Sequence, residues 1–150
     1  MEINKYIDHT NLKMDATSED IAKLCREAIE YNFETVCVHP YYVSLAKDLL
    51  KNTNIGVCTV VGFPLGMNTP KTKAFEAVEA IELGADEIDM VINIAALKDQ
   101  NYDYVKDESS TSANLNNSSI ERIGFVVRTS DIWVDDISVT KLIAPVVKTH

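Results

Sequence analysis

Three short runs in this chain, FETVCVHP (33–40), IGVCTVVGFP (55–64) and EIDMVINIA (87–95), are β-rich and apolar on both faces. A strand with one face in water alternates polar and apolar residues. Strands apolar on both faces belong to parallel sheets covered by helices. YIDHTNL (6–12) is a shorter extended candidate ahead of the three.

The segments between these runs have helical period and readable ends. Thr17 or Ser18 caps a helix with Ile21, Leu24, Cys25, Ala28 and Ile29 on one stripe. Pro40 opens a second, with Val43, Ala46, Leu49 and Leu50 inward. Thr69, followed by Pro70 at the first helical position, starts a third with Ala74, Val78 and Ile81 facing the sheet. Gly84 ends it as a left-handed cap. The order β, α, β, α, β, α, β calls for right-handed crossovers between parallel strands. The pattern is α/β, either an open sheet or a barrel, and periodicity does not choose between them.

The character changes after Lys106. SSTSANLNNSS (109–119) holds only two apolar residues, Ala113 and Leu115, and reads as linker. The helix expected after the fourth strand lacks an apolar stripe here. Residues 120–150 contain one strand-like run, GFVVRTS, and an apolar patch, LIAPVV, enough for one further βα unit.

A chain of 150 residues is expected to form one domain with a substantial core. Its 14 basic and 23 acidic residues give a net charge of −9, which repels phosphate backbones and anionic lipid. Nucleic acid is therefore disfavoured as a partner. The three cysteines, Cys25, Cys37 and Cys58, each lie in an apolar run and form no CxxC pair, so they read as reduced buried thiols. The sequence offers none of the His/Cys/carboxylate spacings of a metal site, and none is expected. No apolar run approaches a membrane span, and the N-terminus has no leader-like apolar region. The expected address is the cytoplasm.

Four segments taken together, IDHTNLK (7–13), VCVHPYYV (36–43), VCTVVGFPLG (57–66) and GADEIDMVINIAALK (84–98), resemble deoxyribose-phosphate aldolases of the bacterial and lower-eukaryotic type. The resemblance covers residues 1–108 and implies the first four βα units of a TIM-type (β/α)₈ barrel. The family cleaves 2-deoxyribose 5-phosphate reversibly to glyceraldehyde 3-phosphate and acetaldehyde. A lysine amine forms a Schiff base that serves as an electron sink, and no metal or other cofactor is needed. Asp89 matches the family's proton-transferring carboxylate and Asp8 a second carboxylate of the same site. Thr10 and Cys37 match positions near the substrate. Read without the resemblance, Asp89 is a buried ion-pair partner or an Asp facing the barrel rim, Asp8 a cap for Thr10 or Asn11, and Cys37 a packed core thiol. His9 and His39 match no catalytic position. The GFPLG turn (62–66) reads as a βα loop, since the family binds phosphate in the last loops of the barrel.

The match breaks in the second half. The nucleophile's motif, roughly FVKTSTG, corresponds to FVVRTSD (125–131), which puts Arg128 in the lysine's place. A guanidinium stays protonated and offers no free amine for imine formation. The family's fifth strand and its second essential lysine have no counterpart. Lys98, Lys106, Lys141 and Lys148 read as solvated surface residues. Residues 120–150 are thus expected to be a divergent remnant, with an internal deletion and disturbed frame as its origin. Three readings follow: a lyase by descent lacking its Schiff-base lysine, a half-barrel partner of a full-length homologue, or the product of a truncated gene. Unpaired strand edges and an uncovered inner face imply self-association.

Overall fold

The computed structural model describes residues 3–113 and 122–126, with side chains as far as Glu108. Strands β1 (Asp8–Asn11), β2 (Thr35–Val38), β3 (Gly56–Val61), β4 (Glu87–Val91) and β5 (Arg122–Val126) form one sheet in the order β1-β2-β3-β4-β5. Every neighbouring pair is parallel. The helices are α1 (Ser18–Tyr31), α2 (Val43–Leu50), α3 (Pro70–Glu82), α4 (Ile94–Lys98) and α5 (Tyr102–Ala113).

Strand order settles the choice that periodicity left open. A doubly wound sheet reverses its strand order and carries helices on both faces. Here the order never reverses, and α1, α2 and α3 pack against one face through a single cluster that includes Ile21, Ala28, Val43, Ala46, Ala77 and Ile81. The fold is α/β, five adjacent strands of a TIM-type barrel wall.

The helix ends behave as their residues demand. Thr17 and Asp20 form a reciprocal capping box, with Thr17 Oγ1 accepting from Asp20 N (3.3 Å) and Asp20 accepting from Thr17 N (2.8 Å). Thr69 caps α3 by accepting from Thr72 N, with Pro70 at the first position. At its far end Gly84 takes φ +105°, and Ala85 N donates back to Ala80 O at 3.0 Å. Pro40 opens a 3₁₀ turn (Pro40–Tyr42), and α2 begins only at Val43.

Several expectations are corrected. Ile29, Leu49 and Val78 are 47%, 43% and 38% exposed rather than inward. The inward face of α3 is Lys73, Ala77, Ala80 and Ile81, because Lys73 turns inside. Its Nζ donates to Gly66 O (2.8 Å) and Val91 O (2.7 Å) and pairs with Glu108. Glu108 in turn accepts from Asn93 N at 3.0 Å. This ion pair, with Val105, anchors α5, so a helix does follow β4 although it lacks an apolar stripe. It continues through Ala113, into the stretch expected to be linker from 109. The run expected as strand to 95 ends at Val91, since Asn93 caps α4 by accepting from Ala96 N. The fifth place in the wall is also filled. RIGFV pairs with β4 from Glu87↔Arg122 to Val91↔Val126, so the run resembling the family's sixth strand lies where the fifth was expected missing.

Candidate active site

Alternation along the strands sorts their side chains into two sets. Val36, Val38, Val57, Val61, Ile88 and Met90 join the helix-side cluster. On the opposite, inner face Cys37, Cys58 and Val60 pack under Leu12 and Phe63. They are 3%, 0% and 6% exposed, so the expectation that this face lies open to water fails at these residues.

Register assembles the remaining inner-face groups. Thr10 is opposite Cys37, Cys37 opposite Cys58, and Val60 opposite Asp89. Asp8 lies opposite Thr35, whose hydroxyl donates to Asp8 Oδ1 at 2.5 Å. The Asp8 side chain therefore takes a bond from the neighbouring strand, while Thr10 Oγ1 donates to the Asp8 carbonyl at 2.9 Å. Asp8, Thr10, Cys37 and Asp89, named from sequence, thus share one face.

Asp89 is half-buried in the middle of β4. Burial pushes its carboxyl above the ordinary carboxylate range, the charge of Asp8 adds to that, and a hydrogen bond from the Cys58 thiol opposes it. Cys58 is itself pushed up, first by its contact with Cys37, then by burial, then by the charges of Asp89 and Asp8. A carboxyl whose proton affinity is raised is suited to giving and taking protons.

The surrounding loops are structural. Gly62 N donates to Glu76 Oε2 (2.7 Å) and Gly66 N to Gly62 O (2.8 Å), so both glycine amides of the GFPLG turn are already engaged. Gly66 is required, since a Cβ there would lie 2.1 Å from Ile92 O. His9 Nε2 bonds Glu27 at 2.8 Å, and His39 Nε2 meets the Leu12 carbonyl at 3.0 Å. A cavity of about 550 Å³ beyond the C-terminal end of β1 is bordered by His9, Thr10, Lys13, Asp20 and Phe63. Lys98 and Lys106 are exposed. Arg128, Lys141 and Lys148 lie outside the described residues.

Sequence reading missed Cys58, Lys73 and Glu108. For Cys58 a signal exists: VCV and VCT place a cysteine after a valine near the start of adjacent strands, so in-register pairing brings the two together. Lys73 and Glu108 carry no such signal, being 35 residues apart on helices.

Residues 3–115 match the family described as DeoC/LacD family aldolase. The deoxyribose-phosphate aldolase of Finegoldia magna is 65% identical over 106 residues, 71% of this chain and 50% of that protein. That of Clostridium tetani is 56% identical over 114 residues, 76% of this chain and 53% of that protein. The chain spans about half the length of the curated relatives it matches. The solved aldolase QR15 superposes with a TM-score of 0.78 at 35% identity, over 87% of this chain and 57% of that one. The tetrameric deoxyribose phosphate aldolase of Aeropyrum pernix gives 0.59 at 33% identity, over 74% and 50%. Among the described residues no helix is long and apolar enough to cross a membrane.

Proposed function

The chain belongs to the DeoC/LacD aldolase family, and from that premise we propose that its inner face is the acid–base wall of a deoxyribose-phosphate aldolase site. The reaction is reversible cleavage of 2-deoxy-D-ribose 5-phosphate to glyceraldehyde 3-phosphate and acetaldehyde through a lysine imine. Asp89 moves the proton on and off the hydroxyl and water that enter and leave the reacting carbon. Asp8, fixed by Thr35, orients the substrate side of the same cleft, and Thr10 and Cys37 line it. The observation that carries this reading is a half-buried carboxyl with its proton affinity raised, on the sheet face that none of the described helices covers.

The chain by itself forms no imine. Arg128 stands where the family's motif has its nucleophilic lysine, and an always-protonated guanidinium cannot attack a carbonyl. Lys73 does not replace it. The amine is fully buried, its hydrogens taken up by two carbonyls and a carboxylate. Borohydride reduction with acetaldehyde or deoxyribose 5-phosphate, read by mass spectrometry, tests this. No adduct is expected, and a lysine adduct at saturating substrate overturns it.

Self-association belongs to the same proposal, as does a cytoplasmic address. Among the described residues, β1 ends one side of the sheet and β5 the other, and exposed Tyr6 and Ile7 adjoin the β1 edge. Light scattering is expected to show an assembly larger than one chain. A compact monomer contradicts that.

A further inference from the structure

The sheet brings together three metal-competent side chains that lie far apart in sequence. The two thiol sulfurs of Cys37 and Cys58 and a carboxylate oxygen of Asp89 all lie within 4.8 Å of one another. They come from three consecutive strands, which is why no local spacing reveals them. Cys37 and Cys58 are register partners, and Asp89 lies one step up the next strand, opposite Val60.

We infer that Cys37, Cys58 and Asp89 form a binding site for one soft or borderline divalent cation of the zinc class, with these three side chains as its protein ligands. Zinc bonds of about 2.3 Å to sulfur and about 2.0–2.2 Å to oxygen set tetrahedral ligand atoms roughly 3.5–4 Å apart. The 4.8 Å within which the three ligand atoms lie is close to that range. Two thiolates select a zinc-like ion over magnesium or calcium, which take oxygen ligands. Three protein ligands leave the fourth tetrahedral position to a non-protein ligand.

Binding is a ligand exchange without redox change. The cation replaces the protons of both thiols, which leave to solvent together with any proton held by Asp89, and the two sulfur–metal bonds and one oxygen–metal bond form.

This inference shares Asp89 and Cys37 with the aldolase reading, and its test measures binding and not turnover, so the two fail separately. Reduced, purified full chain is titrated with Cd²⁺ while the thiolate-to-metal absorption and the protons released are followed. One Cd²⁺ per chain and about two thiol protons are expected. Cys25→Ala, which alters the thiol on α1, is expected to leave both unchanged. Cys37→Ala or Cys58→Ala is expected to abolish the band. Asp89→Asn is expected to keep the thiolate band and weaken affinity by at least the roughly 10–100-fold typical of losing even an outer partner. Should a cysteine variant fail to fold, the Co²⁺ spectrum of the unsubstituted chain decides, and a tetrahedral pattern with thiolate charge transfer is expected. No thiolate band at saturating Cd²⁺, an octahedral Co²⁺ spectrum, or a band that persists with both cysteines replaced overturns the inference.

Discussion

On their outer face β2, β3 and β4 present Val36, Val38, Val57, Val61, Ile88 and Met90 to three helices, while their inner face presents Cys37, Cys58 and Asp89. The same backbone therefore supplies two environments, separated only by the alternation of side chains. The outer one is apolar and closed, with burial as its main source of stability. The inner one keeps groups whose charges burial disfavours. The difference teaches where to look on a parallel sheet: stability is read from one parity of positions and function from the other.

The contrast breaks most visibly at the Lys73–Glu108 ion pair buried in the helix layer. Glu108→Ala strands the Lys73 ammonium in a fully buried site, and a loss of about 3–5 kcal/mol is expected from urea unfolding. Replacing Lys73 and Glu108 together by Met and Leu is expected to restore most of it, since neither charge is then left alone. Ile88→Ala, which opens a cavity on the outer face, is expected to cost about 2–5 kcal/mol by the same assay. A loss under 1 kcal/mol would mean that the outer layer is not close-packed. Thr17→Ala removes one half of the capping box on α1 and is expected to cost about 1 kcal/mol.

Much of this division was legible in the residues. Val-rich runs gave the strands, Thr17, Thr69-Pro70 and Gly84 gave the helix ends, and Asp89 stood out as a carboxylate within an apolar strand. The α3 face was misread because a lysine is assumed to point outward, and only Glu108 on a distant helix makes its burial tolerable. Helix α5 was missed for the related reason that an ion pair replaces its apolar stripe. The place of RIGFV beside β4 was hidden, because local pattern identifies a strand but not its neighbour. The Cys37–Cys58 contact depends on register, which emerges only once two strands are aligned.

The smallest effect sharpens the inner face. Asp89 binds its proton more tightly in the folded chain than in the unfolded one. Between the ordinary aspartate value, 3.8, and its raised value, the folded state holds more protons, so stability falls as pH rises through that window. Above the window the full penalty applies. Asp89→Asn removes that falling leg, so at neutral pH the variant is expected to be as stable as the parent chain or more so. Urea midpoints between pH 4 and pH 7 measure this, and a variant that loses stability would place Asp89 in a stabilising ion pair instead.

The account rests on the state of one carboxyl group. Carbon-13 NMR titration of the Asp89 side chain, assigned with the Asp89→Asn variant, reads it directly. A midpoint clearly above the ordinary aspartate value is the result foreseen here. A midpoint at or below that value would show a solvated or cation-paired carboxylate and contradict the claim that the inner face is held ready for proton transfer.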